Sequence, residues 1–328
     1  MLTRREFILA TTGALAALAT RAAAGPAPTP STGRIAVTGG NVVWRRLAKG
    51  GKTPLLLLHG GPGVPGDYLD PLGALHDGRS VFTYDQLGCG RSDHPHDPKL
   101  WTLARFVDEL DKVRSSLGLR TLHLYAQSWG TMLAIEYLAT RGQEGIASVV
   151  FASPCFSTAR FSKDTARLVA TLSRASQDAI ADAGRTGNYE TPTYKAAVDE
   201  YYGRYLARHG NGNRYFERSF AGLSEEVYGT MWGPSEFAVQ GNLKDFDRVA
   251  ALASIRVPTL FLCGEFDECI PETTRDYASR VAGSEFVEIK GSAHLTTIDA
   301  PAATLKALRP FLARVDSGAT RARLADNA

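Results

Sequence analysis

The sequence predicts an α/β fold in which a mostly parallel sheet is covered by helices on both faces, with a helical cap inserted between two strands. Two observations carry this prediction. Short apolar runs rich in β-branched and aromatic residues alternate with helical segments, which indicates a parallel sheet buried on both faces. The alternation stops between about residues 155 and 250, where the chain becomes helical and polar. The predicted strands are residues 54–60, 80–86, 121–127, 148–154, 258–267 and 285–294.

These runs divide the 328-residue chain into units. We expect the sheet and its helices over residues 35–154 and 251–313, and the cap over residues 155–250. An insertion at this point would lie above the carboxyl ends of the strands, where open α/β sheets bind ligands. Residues 314–328 are small and polar, which is typical of a frayed tail. An apolar content of 44% is sufficient for one large core with an added subdomain.

The charge of the chain argues against nucleic acid as a partner. The formal net charge is +3 and the isoelectric point is about 8.6, both mild for this length. The sequence has no dense stripe of Lys and Arg interleaved with aromatic residues, which a protein that follows a phosphate backbone would need. We therefore expect a globular protein that does not bind nucleic acid.

The N-terminus resembles a twin-arginine export signal over residues 1–24. Arg4 and Arg5 supply its charged region, residues 8–19 are moderately apolar, and the small residues that follow suit cleavage before Gly25. The alternative is an amphipathic or membrane-spanning helix, but the apolar run is shorter than the roughly 20 residues that cross a bilayer. We expect an exported protein, periplasmic or secreted, without a stable membrane anchor.

Cysteine usage fits this expectation. Four cysteines in 328 residues are too few for a disulfide scaffold, and they lack the paired spacing of a metal site. Twin-arginine substrates fold before export, so oxidative folding is not required. Each cysteine is expected to be a small buried residue, although a pair in one loop remains open. The cysteines are Cys89, Cys155, Cys263 and Cys269.

A candidate nucleophile, Ser128, lies at the junction between a predicted strand and a predicted helix. The segment LYAQSWGTM (124–132) is close to the G-x-S-x-G elbow, in which a sharp strand-to-helix turn exposes the serine hydroxyl. Positions two before and two after the serine must be small because strand and helix pass close together. Ala126 adds one methyl group there, and Gly130 meets the requirement fully. A motif with one mismatch is weak alone, so its partners must decide.

Those partners follow two later strands. A serine hydroxyl needs a base, and the base needs an orienting carboxylate. Asp267 and His294 come just after predicted strands, and the chain order Ser, Asp, His is that of α/β-hydrolases. Each also has a non-catalytic interpretation, since Asp267 could cap a helix and His294 could be a polar loop residue. Glu265 and Asp299 are the less favoured alternatives to Asp267.

Donors for an oxyanion are expected in two places. The segment LLLLHGGPG (55–63) ends a strand in a glycine-rich turn, where backbone N–H groups can face a substrate oxygen. We assign one donor to Gly61 and the other to Trp129, the residue after the nucleophile. The alternative for the glycine segment is a tight turn without a catalytic role.

Five segments resemble the prolyl iminopeptidase family of serine hydrolases, which includes related L-amino-acid amidases. The resemblance extends from about residue 35 to residue 312. It implies an α/β-hydrolase core with a helical cap, neither metal nor cofactor, and release of an N-terminal residue, commonly proline, from a peptide or small amide. The chain departs from the family at Ala126 and Thr131, where the family often has glycine. These departures bear on the details of the activity more than on the class of enzyme. The segments are HGGPG (59–63), YDQLGCGRSD (84–93), QSWG (127–130), GEFD (264–267) and GSAH (291–294).

An exopeptidase must recognise a charged amino terminus, which calls for carboxylates in the cap. MWGPSEFAVQGNLKDFD (231–247) is similar to the family's GPxEF segment, and the resemblance gives Glu236 the role of binding the substrate amine. Helix capping is the alternative for Glu236, since Ser235 precedes it. Glu200 is our candidate for a second carboxylate, with a solvated helix face as the competing interpretation.

The sequence therefore predicts a serine exopeptidase that acts on small peptides or amino-acid amides through an acyl-enzyme. An esterase, lactonase or general amidase would use the same triad without needing a free amine. A non-catalytic ligand receptor on the hydrolase fold is the alternative from a different class. Because the elbow carries a serine rather than a carboxylate, epoxide hydrolase and dehalogenase chemistry is disfavoured.

Overall fold

The computed structural model describes residues 31–319, which form an eight-stranded sheet flanked by helices. The strand order is β1-β2-β4-β3-β5-β6-β7-β8, antiparallel from β1 to β4 and parallel from β4 to β8. The predicted fold class is confirmed. The strands are β1 Ser31–Val37, β2 Gly40–Ala48, β3 Lys52–Leu58, β4 Arg79–Asp85, β5 Leu122–Gln127, β6 Ile146–Ala152, β7 Thr259–Gly264 and β8 Glu285–Ile289.

The helices occupy both faces of the sheet and the insertion between β6 and β7. Short 3₁₀ segments cover Gly66–His76, Pro98–Leu100 and Val249–Ser254, and a π-helix covers Tyr202–Leu206. The α-helices are α1 Leu103–Ser116, α2 Trp129–Thr140, α3 Thr158–Val169, α4 Arg174–Thr186, α5 Pro192–Tyr201, α6 Arg214–Ala221, α7 Glu225–Met231, α8 Pro271–Ser279, α9 Thr296–Asp299 and α10 Pro301–Asp316.

Alternate residues of the central strand β3 enter two separate cores. Leu56 and Leu58 pack on one face with residues of α1 and α2. Leu55 and Leu57 pack on the other face with the 3₁₀ segment Gly66–His76 and with α10. A strand buried on both faces reads as a continuous apolar run, which is why LLLL could be identified from the sequence.

The six predicted strands correspond to β3 through β8, but the hairpin of β1 and β2 was not predicted. Two predicted strands also extend too far, because the chain turns after Gly264 and Ile289. At the first of these turns the Gly264 N–H donates to the Asp267 carboxylate at 3.1 Å, which folds the chain back on itself.

The helices of the insertion begin with conventional N-caps. In each, a Ser, Thr or Asn side chain accepts a hydrogen bond from a backbone N–H of the first turn, as short polar residues at this position generally do. The capping residues are Ser157, Ser173, Thr191, Asn213 and Ser224.

The export signal expected over residues 1–24 and most of the tail expected over residues 314–328 lie outside the described residues. Asp316 ends α10, so the helix continues into the segment expected to be a tail. Over residues 31–319, the structure contains no helix with the length and apolar character needed to cross a bilayer.

Candidate active site

Ser128 stands between β5 and α2 in a backbone conformation that few serines adopt. Its φ is 54° and its ψ is −125°, and a non-glycine residue held there costs about 1–3 kcal/mol. Its hydroxyl makes no N-cap hydrogen bond within the described chain, unlike the serines that start the cap helices. The strand-to-helix turn therefore leaves the hydroxyl of a half-buried serine uncommitted to helix capping.

Steric crowding around the turn explains the small residues beside it. A Cβ atom at Gly130 would lie 2.7 Å from the carbonyl oxygen of Leu58 and 2.9 Å from that of His59. Ala126 is fully buried, and its single methyl group is accommodated. The predicted departure from glycine at this position is therefore sterically tolerated.

Asp267 and His294 form a buried hydrogen-bonded pair. His294 Nδ1 lies 2.8 Å from Asp267 Oδ1, and both side chains are almost fully buried. With Nδ1–H donating to the carboxylate, Nε2 keeps its lone pair and can act as a base. Gln127, which precedes Ser128, donates to the carbonyl oxygen of His294 at 3.4 Å and so holds the elbow beside the histidine loop.

Three further donors fix the Asp267 carboxylate. Oδ2 accepts from the Ser153 hydroxyl at 2.6 Å and from Gly264 N–H at 3.1 Å, and Oδ1 accepts from Cys269 N–H at 2.8 Å. Ser153 follows β6 and has a φ of 50°, the other left-handed non-glycine residue besides Ser128 among the described residues. Sequence reasoning missed Ser153, because a serine after a strand carries no distinctive signal.

The glycine turn holds Gly61, one of the two expected oxyanion donors, in a conformation that requires glycine. Gly61 has a φ of 112°, and a Cβ there would lie 2.6 Å from Gly63 N and 2.7 Å from Val64 N, so only glycine fits. Trp129 is the first residue of α2, where backbone N–H groups have no partner within the helix. Gly61 follows Gly60, which lies close to Ser128, and Trp129 directly follows Ser128 in the chain.

Side-chain hydrogen bonds tie this turn to the elbow. The Tyr68 hydroxyl accepts from Gly60 N–H and donates to Gln127 Oε1, both at 2.6 Å. Gln86 donates to the His59 carbonyl at 3.2 Å and accepts from the Trp129 indole at 2.9 Å. The two proposed oxyanion positions are thus held in a fixed relation to each other.

Glu236 lies in a turn after α7, which removes helix capping as its role. The Tyr228 hydroxyl donates to Glu236 Oε1 at 2.7 Å, and the Trp232 indole donates to the Glu236 carbonyl at 3.3 Å. The Ser235 hydroxyl is occupied instead by the Tyr194 hydroxyl, which donates to it at 2.7 Å. The Glu236 side chain is half-buried.

Glu268 is a functional candidate that sequence reasoning missed. It is fully buried, and its Oε1 lies 3.7 Å from His294 Nε2. Among residues 31–319, neither carboxylate oxygen has a hydrogen-bond partner of normal geometry. Burial raises the pKa of Glu268 well above its ordinary value, and the nearby carboxylates of Glu236 and Asp267 add to the shift, while the Tyr201 hydroxyl opposes it. A buried carboxylate of this kind is suited to binding a cationic group.

Glu200, the candidate for the second carboxylate, is engaged by neighbouring cap residues. Its side chain accepts from the Ser173 backbone and hydroxyl and from the Ser176 hydroxyl, at distances of 2.5–2.9 Å, and pairs with Arg204 at 2.6 Å. The hydroxyl of Ser176 is the main cause that lowers the pKa of Glu200 to about 2. The carboxylate stabilises the start of α4, so the competing interpretation, a residue on a helix surface, is nearer the structure.

One group near the site has the donor set of a metal centre. Ligand atoms of Asp267, Cys269 and His294 lie within 4.8 Å of one another. The hydrogen bond between His294 and Asp267 already occupies one nitrogen and one oxygen, and burial raises the pKa of the Cys269 thiol well above its ordinary value. The group therefore suits proton transfer better than metal binding. All four cysteines are buried free thiols.

A strained serine at a strand-to-helix elbow, a glycine turn beside it and a buried Asp–His pair after later parallel strands define an α/β hydrolase. The family profile described as the alpha/beta hydrolase fold matches residues 53–301. The protein is a hydrolytic enzyme of this class.

Individual relatives narrow the class. A proline iminopeptidase of Heyndrickxia coagulans is 40% identical over 282 residues, covering 85% of this chain and 98% of the relative. The crystal structure of a proline iminopeptidase from Mycobacterium smegmatis has a TM-score of 0.81 at 29% identity, covering 88% of this chain and all of the other. The crystal structure of VinJ has a TM-score of 0.83 at 31% identity, covering 87% and 99%. The chain belongs to the proline iminopeptidase family, which confirms the resemblance drawn from its motifs.

Proposed function

We propose that this protein is a serine exopeptidase that releases an N-terminal residue, with proline as the preferred residue, from peptides or amino-acid amides. The observation that carries this proposal is the buried carboxylate of Glu268, 3.7 Å from His294 Nε2 and close to a second carboxylate, Glu236. An ammonium group is the ligand that two neighbouring carboxylates bind most favourably, because it carries the opposite charge and several N–H donors.

The position of Glu268 explains why only one residue would be released at a time. In the first residue of a peptide, the amine nitrogen and the carbonyl carbon share one Cα and lie about 2.5 Å apart. A carboxylate that binds this amine must therefore lie within a few ångströms of the atoms that attack the carbonyl. Glu268 meets this requirement, whereas Glu200 is committed to Ser173, Ser176 and Arg204.

Proline fits the pair through its donor count. A protonated N-terminal proline has two N–H bonds, one for each carboxylate, whereas a primary ammonium has three. The relatives from Heyndrickxia coagulans and Mycobacterium smegmatis are named proline iminopeptidases, which supports the same preference.

In the proposed reaction, His294 takes the proton of Ser128 while Asp267 holds the imidazole tautomer and stabilises the imidazolium. The Ser128 oxygen attacks the carbonyl carbon, and the backbone N–H groups of Gly61 and Trp129 stabilise the oxyanion. His294 then protonates the leaving amine, which breaks the amide bond and leaves an acyl-enzyme. Water activated by the same histidine hydrolyses this ester and restores Ser128.

Steady-state hydrolysis of paired substrates tests the proposal. Free prolyl and alanyl chromogenic amides are compared with their N-acetylated forms, with the Ser128→Ala variant as the blank. Activity confined to the free-amine substrates, with the prolyl amide preferred, is expected. Equal activity on the acetylated substrates would favour the esterase, lactonase or general amidase alternatives, and absence of turnover on every substrate would favour a receptor.

We further propose, from the sequence alone, that residues 1–24 direct export through the twin-arginine machinery. The test replaces Arg4 and Arg5 together by lysine and follows the protein by cell fractionation. Mature protein outside the cytoplasm in the wild type and unprocessed protein inside it in the double variant are expected. Equal export of both would contradict the proposal.

A further inference from the structure

The loop that carries His294 is held by the core on one side and by the cap on the other. Between Ile289, the last residue of β8, and Thr296, the first of α9, the chain has no regular structure. Asp267 holds the imidazole from the core side. The backbone N–H groups of His294 and Leu295 point the other way and donate to the cap. The backbone position of the histidine therefore depends on a segment outside the sheet.

The acceptors are two carbonyl groups at the end of the π-helix. His294 N–H donates to the Tyr205 carbonyl at 3.1 Å, and Leu295 N–H donates to the Leu206 carbonyl at 2.9 Å. Carbonyl groups at the end of a helix have no partner within it, so they are available to a neighbouring loop. The π-helix Tyr202–Leu206 continues α5 with wider turns, and single π-turns of this kind often occur at functional sites.

The carboxylate of Asp299 adds one more bond between the same segments and one bond within the histidine loop. Asp299 accepts from His209 N–H through Oδ1 and from Ala293 N–H through Oδ2, both at 2.8 Å. Its side chain is fully buried. We call these four hydrogen bonds the cap clamp; three of them join residues 205–209 to residues 294–299, and the fourth fixes Asp299 to the loop of His294.

We propose that the cap clamp positions His294 for proton transfer with Ser128, so that the cap takes part in catalysis beyond covering the site. This inference rests on the proposed role of His294 as the base. The same element also reaches the proposed amine site, because Tyr201 directly precedes the π-helix and is buried near Glu268. None of these cap groups contacts the reacting atoms, so they are positioning residues.

The test measures how fast an uncharged fluorophosphonate labels Ser128. This probe needs the serine and its base but has no ammonium group, so its labelling does not require amine binding by Glu236 or Glu268. In the Asp299→Asn variant, the side chain has a single oxygen for the two backbone donors, His209 N–H and Ala293 N–H. Its NH₂ group, itself a donor, must then face one of these N–H groups. We expect labelling at least about tenfold slower, because displacements near 1 Å cost up to about 100-fold in rate.

Deletion of Gly203 is the second variant, since it removes one residue from the π-turn and shifts both carbonyl acceptors. Gly203→Ala is its matched control, because a Cβ atom there would meet open space. The deletion is expected to slow labelling to a similar degree, and the alanine variant to match the wild type. The downfield proton resonance of the bond between His294 Nδ1 and Asp267 should shift or broaden in the two slow variants, and circular dichroism at the assay temperature reports the folded fraction.

Every outcome of the labelling experiment either supports or overturns the positioning role of the cap clamp. Wild-type labelling rates in folded Asp299→Asn and Gly203-deleted proteins would overturn the proposal, and so would loss of the folded state in both. If only one of them folds, that variant decides. A wild-type enzyme that is labelled but hydrolyses no prolyl amide would instead overturn the proposed peptidase function and leave this comparison intact.

Discussion

The molecule contains a second set of Ser, His and Asp at the amino ends of the parallel strands, opposite the proposed triad. The Ser148 hydroxyl lies 2.7 Å from His123 Nδ1, and His123 Nε2 lies 3.1 Å from Asp316 Oδ1. Asp316 also pairs with Arg79 at 2.6 Å, which connects the end of α10 to the start of β4. The hydrogen bonds alone would suit a relay from serine to carboxylate.

Backbone position separates the two sets. Ser148 is fully buried within a regular strand, directly opposite His123 in the pairing of β5 with β6. The backbone N–H groups of such strands are used by the ladder, so none is available for an oxyanion. Ser128, in contrast, is half-buried on a strained turn beside a helix start. From this comparison we expect backbone geometry and free N–H donors, rather than residue types, to distinguish a reactive serine from a structural one.

The largest expected effect tests this distinction directly. Ser128→Ala removes the nucleophile and is expected to lower kcat on a prolyl amide by about 10⁴-fold or more without unfolding the protein. Ser148→Ala is expected to retain wild-type kcat and to lower the melting temperature only. Assays of kcat and melting temperature on both variants check the pair, and comparable loss of kcat in the two would break the distinction.

The carboxylates provide a second pair of variants. Asp267→Asn presents an NH₂ group or an uncharged oxygen to His294 and so disfavours the productive tautomer, which is expected to lower kcat by about 10³-fold or more. Asp316→Asn weakens the ion pair with Arg79 and is expected to affect stability alone. Measuring kcat for both at saturating substrate separates the roles, and a small loss for Asp267→Asn would remove it from the triad.

Ser153 is expected to give a smaller effect. Ser153→Ala and Ser153→Gly both remove the hydroxyl that donates to Asp267, so each should lower kcat by about three- to tenfold, as loss of one hydrogen bond implies. The glycine variant alone relieves the left-handed backbone, so it should be the more stable of the two. Unchanged kcat in both variants would show that the other three contacts suffice to position Asp267.

The smallest expected effect is on stability against pH. Burial lowers the pKa of His123 below its ordinary value of 6.5, so the unfolded chain binds a proton more readily than the folded one. The free energy of unfolding should therefore fall as the pH drops below about 6.5 and be independent of this group above it. His123→Gln should reduce that slope in chemical denaturation series. Part of the slope should remain, because burial also lowers the pKa of His59.

Much of the site could be predicted because its residues occupy fixed places in the strand pattern. Ser128, Asp267 and His294 each follow a predicted strand, and their order in the chain is characteristic. The hairpin of β1 and β2 was missed, because neither strand has a continuous apolar run: β1 exposes several of its residues, and β2 buries only Val42, Val43 and Ala48. The signal available for it was the pair Gly39–Gly40, which is typical of a hairpin turn.

The carboxylate that we propose as the second amine ligand, Glu268, could not be predicted for a different reason. Glu268 and Glu200 are both acidic residues in polar surroundings of the sequence, and nothing local tells which is buried. Burial of Glu268 depends on the contact between the cap and the core, whereas Glu200 faces its own helix pair. The signal for Glu268 was its place directly after Asp267, which puts it at the same end of the sheet.

The central claim is that Glu268 binds the substrate amine beside the triad, and one ratio tests it most directly. The ratio is kcat/KM for a free prolyl amide divided by that for an uncharged ester of similar size, measured in Glu268→Gln and in Glu200→Gln as the matched control. A 10- to 100-fold fall in the ratio, about what one charge-assisted hydrogen bond supplies, is predicted for Glu268→Gln alone. An unchanged ratio in Glu268→Gln, or an equal fall in Glu200→Gln, would contradict the assignment.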